Sequence, residues 1–109
     1  MNIQHQQLAA GKWQKFTLCE QMANIGSEVE RAIKWRNKGN VAYGQLAFER
    51  ILELLDLSIG LQTTYPRLKE LSRLREVLVD YFVFDNSYAS SDSSWQKYFY
   101  AFNYAARVN

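Results

Sequence analysis

The chain has one histidine, one cysteine and one proline in 109 residues. Each shortage closes off a class of chemistry. A lone Cys19 forms no disulfide within the chain, which fits a reducing cytoplasm. One His and one Cys fall short of the ligand sets of the usual zinc sites. As a general base His5 needs an orienting partner and a pocket, yet it stands in the Gln-rich stretch MNIQHQQ and reads as a solvated side chain near a terminus. Cys19 falls in the first turn of a helix pattern, where the dipole favours a thiolate and the adjacent Glu20 opposes it. It reads as a small, partly buried residue. An excess of one charge is also missing. Thirteen basic and eleven acidic residues leave a net charge of +2, so any affinity for a polyanion has to come from local clustering. Long apolar runs are absent as well: Glu, Arg and Asp break the longest helical run, so no membrane span is expected. Residues 1–16 lack the apolar core and cleavage site of a secretory leader.

What remains is 48% hydrophobic and 15% aromatic, a composition of a folded core, in a length typical of one domain. The pattern is helical throughout. Thr17-Leu18-Cys19-Glu20 has the spacing of a capping box, and Leu18, Met22, Ile25, Val29 and Ala32/Ile33 follow at intervals of three and four. Gly39 suits the left-handed stop of that helix, which we place at Thr17–Lys38. Gly26 inside it implies a close approach of another helix or a bend. Asn40 caps a second helix over Val41–Ile59, whose stripe includes Tyr43, Leu46, Ala47, Ile51, Leu54 and Leu55 and is broad enough to be central. Pro66 fits the first turn of a third helix running to about Phe84. The polar stretch 85–94 leads to a fourth helix, Trp95–Arg107, capped by Asp92 or Ser93. Four helices on short connections predict an all-α, antiparallel up-down four-helix bundle forming a single domain, with residues 1–16 as a strap or short helix.

Glu49, Glu53 and Asp56 share a helix face, but no Glu-x-x-His accompanies them. They read as a solvated face; we expect no metal site, no cofactor and no catalytic residues. A stronger signal is basic. Arg31, Lys34, Trp35, Arg36 and Lys38 gather at one helix end, and Arg67, Arg73 and Arg75, with Lys69, form a second group. Cations contact phosphates and a Trp can stack on an unpaired base, although interleaved Glu28, Glu30, Glu70 and Glu76 also fit a charge-mixed surface. The run Tyr98–Arg107 places Tyr98, Phe99, Tyr100, Phe102 and Tyr104 around most of a helix, more than one face buries. Tyr98, Tyr100 and Tyr104 are therefore candidates for an interface between copies of the chain.

Ala23-Asn24-Ile25-Gly26-Ser27-Glu28, followed by Ala47-Phe48-Glu49-Arg50 on the next helix, resembles the four-helix proteins of 23S rRNA intervening sequences. Their relatives, the Avd accessory proteins of diversity-generating retroelements, share that resemblance. It implies an oligomeric bundle that engages RNA and a reverse transcriptase through a basic surface. Gly39-Asn40, Tyr43 and Ala47-Phe48-Glu49 also resemble HEPN-type bundles, which pair with nucleotidyltransferases in toxin–antitoxin modules. Active HEPN ribonucleases carry an Arg followed at a short distance by His. Here His5 precedes every Arg, so the resemblance implies an inactive partner. The expectation is a non-enzymatic, cytoplasmic accessory bundle that binds RNA or a nucleic-acid enzyme. The alternative is a protein–protein module.

Overall fold

The computed structural model of the protein describes residues 11–108, so His5 lies outside the described part. Four helices and no strand are present among the described residues: α1 (Leu18–Asn37), α2 (Val41–Gly60), α3 (Tyr65–Phe82) and α4 (Asp92–Val108). A short 3-10 turn, Trp13–Lys15, precedes them.

Local chemistry sets most of the boundaries. Thr17 Oγ1 accepts the Glu20 N–H at 3.1 Å while Glu20 Oε1 accepts the Thr17 N–H at 2.8 Å, a complete capping box. Gly39, at φ +76°, ends α1 in the left-handed conformation, and the Asn40 N–H bonds the Trp35 carbonyl at 2.9 Å. Asn40 Oδ1 then accepts the Tyr43 N–H and starts α2. Pro66 sits in the first turn of α3. The start of α4 differs from expectation. Ser91, not Asp92 or Ser93, is the cap: its Oγ accepts the Ser94 N–H at 3.1 Å and Ser94 Oγ accepts the Ser91 N–H at 2.9 Å. A serine here takes the reciprocal role usually filled by Glu, so the helix begins three residues before Trp95.

The helices alternate in direction. α1 packs on α2 and α4, and α2 on α3. Met22, Ile25, Val29 and Ile33 of α1 meet Ile51, Leu54 and Leu55 of α2, Leu71, Leu74 and Leu78 of α3, and Trp95 and Phe99 of α4 in one core. Each such side chain, fully buried, stabilises the fold by about 1.5–3 kcal/mol. Trp13 closes one end of the bundle, donating its indole N–H to Ser58 Oγ at 3.0 Å, and Gln21 holds the Trp13 carbonyl. Gly26 is where α4 comes closest. A Cβ built there would lie 2.8 Å from Phe99 Cβ.

At the opposite end the polar connector is tightly braced. The buried Asp80 carboxylate accepts the N–H groups of Ser87 and Tyr88, and the Asn86 amide bonds both the N–H and the carbonyl of Ser90. Asn86 and Ala89 both adopt positive φ of 56°.

Candidate functional site

The turn at Gly39 folds α2 back along α1, and residues equidistant from it face each other. Trp35 and Tyr43, four positions to either side, meet edge to face with ring centroids 4.9 Å apart. Lys34 and Lys38 place their ammonium groups 5.7 Å and 5.4 Å from the centre of the Trp35 ring. Eight positions from the turn, Arg31 and Ala47 continue the facing pair, and with Leu46 and Arg50 they complete a shallow depression of about 220 Å³. Arg31 is anchored by Glu28 one turn earlier, with its side chain still mostly exposed. Cations ring an accessible aromatic pair at a helix C-terminus, where their charge is favoured by the dipole.

Tyr43 and Leu46 do not join the core as the stripe on α2 implied; they remain 53% and 45% exposed. The reason is their place around the helix. Phe82 at the end of α3 packs on Phe48, with ring centroids 5.5 Å apart, on one flank of α2, whereas Tyr43 and Leu46 lie on the other flank, beside Arg31, Trp35 and Arg50. Tyr43 and Arg50 thus belong to a surface that the sequence pattern did not assign them.

Arg36 does not face this surface. It packs across the ends of α3 and α4 while its side chain stays exposed, with its guanidinium 4.4 Å and 4.9 Å from the centres of the Tyr81 and Phe82 rings and 2.9 Å from Asp92 Oδ1. Asn37 and the Tyr81 hydroxyl donate to the same carboxylate. Burial alone raises the Asp92 pKa, but the hydrogen bonds from Tyr81 and Asn37 and the charge of Arg36 outweigh it and hold the group below its usual value of 3.8. Tyr81 is displaced upward, first by burial and then by its bond to Asp92. This network ties the ends of α1, α3 and α4 together. The signal was available: Arg36 stands at i+11 from Ile25 and i+7 from Val29, on the buried stripe.

The second basic group is dispersed over α3. Arg75 bridges to Asp56 on α2 at 2.8 Å, Arg67 lies 4.0 Å from Glu70, and Arg73 covers the Tyr88 ring at 5.4 Å. Asp56 is therefore part of an inter-helix ion pair. These cations form no cluster with the Trp35 surface.

On α4, Trp95 and Phe99 are buried and Tyr98 is partly so, against Trp95, Phe99 and Phe102. Burial, with a smaller effect from Glu70, raises the Tyr98 pKa. Tyr100 and Tyr104 are 68% and 60% exposed. They point away from the core one turn apart, so of the three tyrosines Tyr98 stabilises the monomer and the other two face outward.

No family model, no curated protein and no solved structure matches this chain. No described helix is long and apolar enough to cross a membrane.

Proposed function

We propose that the protein is a non-enzymatic accessory bundle that binds single-stranded RNA on the Trp35–Tyr43 surface and self-associates through the outer face of α4. The observation that carries this reading is the pair of ammonium groups over Trp35 beside an accessible Tyr43, with Arg31 and Arg50 alongside. Unpaired bases stack on such rings while cations track the phosphates, and neither contact requires sequence readout. The near-neutral net charge fits a small footprint of three or four phosphates better than a continuous basic groove. A nucleic-acid enzyme such as a reverse transcriptase is the partner class this role implies. A nucleotidyltransferase is the partner in the alternative reading, which rests on the exposed Tyr100 and Tyr104.

Titration of a fluorescent single-stranded RNA, followed by anisotropy at low and high salt, tests the proposal. Trp35→Ala should weaken binding by about 1–3 kcal/mol, the measured worth of one stacked base. Lys34→Ala with Lys38→Ala should weaken it and flatten its salt dependence. Arg36→Ala should lower the melting temperature and leave the affinity of the folded protein unchanged. Salt-insensitive binding, or equal losses from Arg36→Ala and Trp35→Ala, would overturn the reading.

A further inference from the structure

A second concavity lies on a different face, in the groove between α1 and α4. It is an open groove of about 540 Å³, within the range that holds a small molecule. Gly26 and Phe99 lie at its floor, where α4 comes so close to α1 that a Cβ at position 26 would sit 2.8 Å from Phe99 Cβ. Val29, Ile33 and Phe99 line it from the two helices, and Tyr100, Asn103 and Glu30 add an aromatic wall and polar atoms. Glu30 is the one charged residue in the lining, and no cation among the described residues pairs with it. Trp95 also lines the groove, and its buried indole N–H has no acceptor among the described residues.

We propose that this groove binds a small organic amine in its protonated form. An apolar stem lies along Val29, Ile33 and Phe99, the exposed Tyr100 ring covers it, and the ammonium group reaches the Glu30 carboxylate. The chemistry follows from the lining. A carboxylate without a counter-ion beside aromatic and aliphatic carbon attracts a cation that also carries apolar surface. A simple metal ion would lack the second contact, and an anion would be repelled. The site is independent of the Trp35 surface, so loss of RNA binding would leave it standing; it shares Tyr100 with the proposed self-association face, so association of copies and amine binding compete for that ring.

Two-dimensional NMR of the intact chain, with phenethylamine and spermidine as probes, reads the site directly. The Trp95 indole resonance and the amides of Ser27, Glu30 and Asn103 should shift together and saturate with at least one amine. 2-Phenylethanol, the neutral analogue, should bind about tenfold or more weakly, because the charge-assisted hydrogen bond is missing. Glu30→Gln should produce the same loss, while Glu49→Gln, a carboxylate on another face, should change nothing. Circular dichroism confirms that both variants fold. Equal binding of amine and alcohol, unaltered binding by Glu30→Gln, or shifts that fail to saturate would overturn the proposal. Saturation only by a lysine-bearing peptide would also overturn it, by moving the site to a protein partner.

Discussion

Gly26 and Asp92 show how single residues set this bundle. Replacing glycine by alanine inside a helix is worth about 1 kcal/mol in propensity. At position 26 the added methyl would sit 2.8 Å from Phe99 Cβ, an atom fixed to the α4 backbone that cannot rotate aside. Overpacking of that kind costs about 1–3 kcal/mol, so Gly26→Ala should destabilise on balance by about 1 kcal/mol, read from the urea midpoint. The sign of the Asp92 effect on pH follows from its lowered folded-state pKa. The carboxylate contributes stability above its unfolded value, and that contribution is lost as pH falls through the folded value. Stability of the wild type should therefore decline as pH drops below about 4. Asp92→Asn should be less stable at neutral pH and show a flatter acid limb in melts recorded from pH 6 to pH 2.

At the scale of the element, the start of α4 depends on two serines. Ser91→Ala removes the acceptor for the Ser94 N–H and should cost about 1 kcal/mol. Amide exchange should speed up first at Ser93–Trp95, ahead of the core of α1. Such caps are local, and this is why the helices were legible in the sequence: Thr17 with Glu20, Gly39 with Asn40, and Pro66 all act within a few residues. Ser91 was missed because serine is an unusual reciprocal partner and Asp92 next to it is a good cap in its own right. The site was only half legible. Arg31, Lys34, Trp35 and Lys38 stay together because they share one end of α1. Arg36 is drawn to the ends of α3 and α4 by groups 45 to 56 positions away, Tyr81 and Asp92, which no local pattern reports. The exposure of Tyr43 and Leu46 depended on which flank of α2 its neighbours cover, a matter of tertiary packing, since α3 meets α2 at Phe48 on the other flank. The hairpin symmetry about Gly39 nevertheless pairs Trp35 with Tyr43 from sequence spacing alone.

For the molecule as a whole, the two proposed surfaces lie on different elements, the RNA surface on α1 and α2 and the self-association face on α4. Their separation has a measurable consequence. On the proposed reading, one copy would offer a footprint of a few nucleotides, so its affinity for a short strand would depend only on that copy. If copies associate through Tyr100 and Tyr104 as proposed, a long strand would meet several footprints at once. The second contact is then intramolecular and tightens binding without any new interaction. The double variant Tyr100→Ser, Tyr104→Ser removes aromatic area that is already exposed, so its melting temperature should stay close to that of the wild type. Sedimentation velocity should show a smaller species. Its affinity for a strand of about five nucleotides, one footprint, should be unchanged, and its affinity for a strand several footprints long should fall by a factor of about 10² or more. An equal loss on both strands would place Tyr100 and Tyr104 in the RNA surface itself. No loss on either would mean that the α4 face serves a different protein, the outcome that favours the protein–protein module.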